Sequence, residues 1–248
     1  MKLLSVCFIF LFTLSAYAQQ QQQQHVQYDE DFRFKDGVYL SFLDFKNNNP
    51  IPITHLLSEF DIRAKDYILE TLNNDTLVYY DNLLEERAED IRQVWGFCAD
   101  GKVHIGFNTV ERNPKWEDRD WFPLVNIGAY SSFTAYMMMT RHMPPTPTTM
   151  MPTGGIGLYD DGMDPNGNYY QESMPMQMLL DFKTGNLIQL AVGDLNTVSA
   201  DLITKLIGSD TQLLGEFEAM SKRDQKQTSM FYIRKFNERN PILFPSHD

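Results

Sequence analysis

Trp95-Gly96-Phe97-Cys98-Ala99-Asp100-Gly101-Lys102-Val103-His104-Ile105-Gly106-Phe107 is two apolar runs around Asp-Gly. Asp-Gly supplies the two left-handed positions of a tight hairpin turn, so Ile91 to Cys98 and Val103 to Phe107 read as antiparallel strands. Working outward, Tyr67 to Leu72 and Thr76 to Tyr80 flank Asn73-Asn74-Asp75, a second hairpin pattern. Together these predict a β meander from Asp66 to Phe107. Trp121 to Ile127 and Ala129 to Met138 add strands around Gly128. Met174 to Phe182 and Leu187 to Val192 flank the turn Lys183-Thr184-Gly185-Asn186.

Helical patterns lie at the two ends. Ser41 and Asp44 have capping-box spacing for a short helix that buries Phe42 and Phe45 and stops at Asn47-Asn48-Asn49-Pro50. In the last third, Val198, Leu202 and Leu206 recur one turn apart, and Gly208 ends that helix. Ser209-Asp210-Thr211-Gln212 is a capping-box match before Leu213, Phe217 and Met220. A last helix, about Asp224 to Asn237, presents Tyr232, Ile233 and Phe236. Strands first and helices last predict an α+β fold: an antiparallel β meander, open to barrel-like closure, with C-terminal helices packed on it.

Lys2, the apolar run Leu3 to Leu14 and Ser15-Ala16-Tyr17-Ala18 have the three parts of a cleavable signal peptide, residues 1–18, with cleavage between Ala18 and Gln19. The run is too short for a hydrocarbon core that takes about 20 residues. Cys7 lies inside it, and no cysteine follows the small residues, so no lipid attachment is expected. Removing 18 of 248 residues leaves 230 and one cysteine, Cys98, hence no internal disulfide. The polyglutamine stretch Gln19 to Gln24 heads a leader, residues 19–31, expected to be disordered. Residues 32–248 are read as a single α+β domain with a long Met/Pro/Gly loop at about 140–168. The net charge of −12 becomes −13 without Lys2. That field repels phosphate, which disfavours nucleic acid as a partner. No other stretch reaches membrane length, so the mature chain reads as exported and soluble, periplasmic or extracellular.

Three constellations carry chemistry. Ten of the 13 methionines lie between Met137 and Met178. Thioethers select Cu(I), so Met137, Met139, His142, Met143, Met174, Met176 and Met178 are candidate ligands. Met174, Met176 and Met178 also alternate, which in a strand places all three on one buried face. Asp160, Asp161, Asp164, Asn166 and Asn168 form an oxygen-rich loop, but Gly162 and Pro165 break EF-hand spacing and favour a solvated turn. Trp116-Glu117-Asp118-Arg119-Asp120-Trp121 sets acids beside aromatics, as a glycoside hydrolase needs, without a second acid of known geometry. His25, His55, His104, His142 and His247 have no metal-ligand spacing, with His104 expected to face solvent. Cys98, in an apolar strand, is expected to be buried and inert. No cofactor is implied.

Gly37-Val38-Tyr39-Leu40-Ser41-Phe42-Leu43-Asp44-Phe45 with Asn47-Asn48-Asn49-Pro50 resembles the opening of a group of secreted Bacteroidota proteins of unknown function. Trp95-Gly96-Phe97-Cys98, Asp181-Phe182-Lys183-Thr184-Gly185-Asn186 and Phe236-Asn237-Glu238-Arg239-Asn240-Pro241 are similar to the same group. The resemblance implies export and an envelope location but no chemistry. The expectation is a non-enzymatic binding or interaction module, with a periplasmic Cu(I)-binding protein or a hydrolase as alternatives.

Overall fold

The computed structural model describes residues 25–64, 66–73, 78–81, 86–88, 94–107, 120–142, 169–194 and 198–246. The strands are β1 (His25–Gln27), β2 (Gly37–Tyr39), β3 (Ile51–Pro52), β4 (Leu56–Leu57), β5 (Val78–Asp81), β6 (Glu86–Ala88) and β7 (Gly96–Ala99). They continue with β8 (Lys102–Phe107), β9 (Asp120–Pro123), β10 (Tyr130–His142), β11 (Tyr169–Asp181), β12 (Leu187–Val192) and β13 (Leu243–Pro245). The helices are α1 (Phe42–Lys46), α2 (Tyr67–Leu72), α3 (Ala200–Ile207), α4 (Thr211–Glu218) and α5 (Lys222–Arg239).

Two antiparallel sheets face each other. One has the order β3-β2-β7-β8-β9, the other β10-β11-β12. Strand alternation sends Tyr39, Cys98, Val103, Ile105 and Phe122 from the first sheet into the same core as Phe133, Ala135, Met176, Met178 and Leu180 from the second. Aromatic rings fill this core. Phe45 stacks on Trp95 with centroids 4.8 Å apart, and Phe32 stacks on Phe244 at 4.7 Å. The outer face of β11 carries Leu179, which packs with Ile203, Ile207, Leu213, Phe217, Ile233 and Phe236 of the C-terminal helices. The outer face of the five-stranded sheet carries Val38 and Phe97, which pack with Tyr67, Ile68 and Leu72 of α2. The α+β class, antiparallel with C-terminal helices on one face, is as expected. Among the described residues the sheets stay separate, and no barrel closes.

Asp100 and Gly101 take φ values of 51° and 70°, and β7 pairs with β8 around them as the Asp-Gly pattern predicts. The Ser41–Asp44 capping box forms in both directions: Asp44 N–H donates to Ser41 Oγ and Ser41 N–H donates to Asp44 Oδ2. Asn48 is left-handed at φ 46° and buried.

Three expectations are corrected. Tyr67 to Leu72 is a helix, not a strand. Tyr67, Ile68, Thr71 and Leu72 are its buried residues, spaced i, i+1, i+4 and i+5, and Thr71 Oγ1 donates to the Tyr67 carbonyl at 2.7 Å. The meander is therefore interrupted before β5. The leader does not run to residue 31, because β1 pairs with β13 from His25 and Tyr28 N–H donates to the Ile242 carbonyl at 3.0 Å. β10 pairs with β11 as far as His142 opposite Tyr169, and residues 143–168 of the loop expected at about 140–168 lie outside the described residues. The cap of α4 is Asp210 rather than Ser209: its carboxylate accepts from Leu213 N–H at 2.9 Å.

Candidate functional site

β10 and β11 pair residue for residue over their whole length, from Tyr130 opposite Asp181 to His142 opposite Tyr169. β12 supports them only as far as Met176 opposite Val192, where Gly193 N–H donates to the Pro175 carbonyl at 2.7 Å. Beyond that point the strands form a two-stranded arm.

The outer edge of β10 has a defined polarity. Val125 and Ser132 exchange both backbone bonds, at 2.7 and 2.9 Å, so Ser132 points its N–H and C=O away from β11. Alternation then aims the backbone groups of Thr134, Tyr136 and Met138 the same way. Among the described residues no strand pairs with β10 beyond Ser132 on that side. Tyr136 and Met138 are 55% and 58% exposed, and Met139 is also exposed. From Trp121 to Thr140 the chain carries no charged side chain. Natural edges are usually blunted by charge, proline or a bulge. β11 has such a guard in Pro175, whose missing N–H falls where β12 ends. β10 has none.

The same arm holds most of the candidate metal ligands. Met137 stands directly opposite Met174, and both are half-buried. Met139, opposite Glu172, shares their face. Met176 and Met178, opposite Ala135 and Phe133, belong to the aromatic core. His142 ends β10, with its side chain outside the described residues, as is all of Met143. The strand thus brings Met137, Met139 and Met174 together and commits Met176 and Met178 to packing. Among the described residues no group of three or more His, Cys, Asp or Glu side chains converges.

Other candidates fall into place. Cys98 is fully buried and donates to Asp36 Oδ1 at 3.4 Å, an oxygen that also accepts from Gly101 N–H at 3.1 Å. Burial first, and then the Asp36 carboxylate, push the thiol well above its ordinary range. His104 is not simply solvent-facing. It lies flat on Phe97, with centroids 4.6 Å apart and planes 9° apart, and burial lowers its pKa. Asp120 opens β9, exposed, opposite Phe107. Glu117, Asp118, the Asp160–Asn168 loop, Ala18 and Gln19 lie outside the described residues.

A cleft of about 360 Å³ runs between the end of β1, the turn before β10 and the end of α5, lined in part by Asp29, Glu30, Arg234, Asn237 and Glu238. Two of these residues, Asp29 and Asn237, are occupied with structure. Asp29 Oδ1 accepts from the N–H groups of Asp31 and Phe32. Asn237 binds Tyr130 and Asn126 backbone. Among the described residues that line it there is no His, Cys, Ser or Lys.

Sequence reading passed over the open edge of β10. The signal available was the uncharged stretch from Trp121 to Thr140, but a strand's place within its sheet depends on distant partners. No curated protein and no solved structure matches the chain. A family model described as a family of unknown function, DUF6563, matches residues 37–240, and the chain belongs to that family.

Proposed function

We propose that the chain is an exported interaction module that binds extended polypeptide by strand addition along β10. The observation behind this reading is the open edge itself: outward backbone groups at Thr134, Tyr136 and Met138, flanked by exposed Tyr136 and Met138. Main-chain bonds give affinity in strand addition, and alternate side chains give selectivity. Export rests on residues 1–18, and the resemblance to secreted Bacteroidota proteins agrees with it. The test is a photo-reactive residue at Met138, in cells, against the same residue at Leu43, an exposed position on α1. Adducts from Met138 with few from Leu43 support strand addition. Equal labelling, or none, would sink it.

A second reading is Cu(I) binding on the arm, supported by Met137 opposite Met174 with Met139 on the same face. Anaerobic titration with Cu(I) tests it, and the absence of saturable binding tighter than micromolar removes it.

A further inference from the structure

We infer that the occupant of the β10 edge is a second copy of this chain, joined about a two-fold axis through Tyr136. This rests on the strand-addition reading above and names its partner.

The first argument is charge. The chain carries −12 overall, so two copies repel across most of their surfaces. The strip from Trp121 to Thr140 has no charge and is where two such molecules approach at least cost. A foreign ligand of an acidic protein would be drawn and selected by complementary charge, which this edge does not offer.

The second argument is register. In an antiparallel pair, residues that exchange both backbone bonds alternate with residues that exchange none. An axis through Tyr136 sets Tyr136 against Tyr136 of the other copy, and Thr134 against its Met138. Thr134, Tyr136 and Met138 then each meet an outward residue, and the pairing ends there because Val125 already holds the backbone of Ser132. The two three-stranded sheets merge into one with β10 at its centre. Tyr136 packs on its own counterpart, an aromatic cross-strand pair. Val125 bridges only Ser132, so the strand is open from Thr134 onward on that side among the described residues.

The register makes a sharp test, because Cys98 is buried and silent. Paired residues that exchange both bonds lie about 5.5 Å apart at Cα, within the range a disulfide spans. Four residues of offset along a strand separate Met138 from its own counterpart by about 14 Å. Tyr136→Cys, purified without residues 1–18 and mildly oxidised, is therefore expected to form a covalent dimer, and Met138→Cys is not. Sedimentation supplies the second arm. Tyr136→Lys and Tyr136→Glu are each expected to weaken self-association at least about tenfold, and their mixture to restore it, because opposite charges then face each other.

A chain that stays monomeric in sedimentation, or one that crosslinks equally at both positions, overturns the dimer. Photo-adducts from Met138 to a different protein, with a monomeric chain, leave strand addition standing and remove the second copy alone. No adducts and no dimer remove both.

Discussion

Asn237 is the clamp between the last helix and the start of the long hairpin, and Asn237→Ala measures it. Its Oδ1 accepts from Tyr130 N–H at 2.9 Å, and its Nδ2 donates to the Tyr130 carbonyl at 2.8 Å and to the Asn126 carbonyl at 3.3 Å. These bonds join segments more than a hundred positions apart in sequence. Each contributes about 1 kcal/mol net, and truncation strands backbone groups that then need water. The side chain is half-buried, so water reaches part of the site and the loss stays near the plain sum, about 2–3 kcal/mol. For a chain of this size that is a fall of roughly 5–10 °C in Tm. Gly128 tests the same clamp from the other side. A β-carbon there would lie 2.5 Å from Asn237 Cγ, and the side chain cannot yield without breaking its bonds. Gly128→Ala is therefore expected to cost about as much as Asn237→Ala. In the double variant the second change should cost little, because the obstructing side chain is gone. The assay is urea unfolding of the four proteins followed by tryptophan fluorescence. Asn237→Ala within about 0.5 kcal/mol of the parent, or strictly additive losses, would refute the clamp.

Two other outcomes follow from buried Cys98 and half-buried His104. Cys98 should resist thiol reagents at neutral pH in the folded chain and react on denaturation, since burial and Asp36 hold it as the thiol. Prompt labelling of the native protein would contradict its placement. His104 has a lowered folded pKa, chiefly through burial against Phe97. The unfolded chain therefore takes up a proton first as pH falls below about 6.5, so this contribution to stability is present above that pH and is lost on acidification. His104→Phe keeps a ring against Phe97 and should flatten the pH dependence of unfolding between about pH 5 and 7. An unchanged slope would count against the stacked, neutral imidazole.

Several elements were legible because their determinants are local. Asp100-Gly101 needs no partner to favour two left-handed residues, and Ser41 with Asp44 caps a helix through contacts three residues apart. Ser221 does the same for α5, with Asp224 N–H donating to its Oγ, although the expected helix began at Asp224 itself. Tyr232, Ile233 and Phe236 share a face by helical geometry alone and lie buried as expected. Met174, Met176 and Met178 alternate as a strand requires, but the core takes Met176 and Met178 while β12 stops short and leaves Met174 half-buried.

The sequence by itself determined the α+β class, the Asp-Gly hairpin, the C-terminal helices and the burial of Cys98, all consequences of turn chemistry, capping and apolar period. Tertiary structure decided the rest. The run Tyr67 to Leu72 has the residues of a strand, but packing Tyr67, Ile68 and Leu72 against Val38 and Phe97 suits one helical face. His25 to Gln27 is polar and patternless, yet it has order because β13 offers a backbone edge that uses no side-chain signal. The open side of β10 is equally invisible in one dimension. Which strand lies at a sheet's edge depends on pairings across the whole chain, and Thr134, Tyr136 and Met138 become a surface because β10 takes β11 on one side and, among the described residues, Val125 alone on the other.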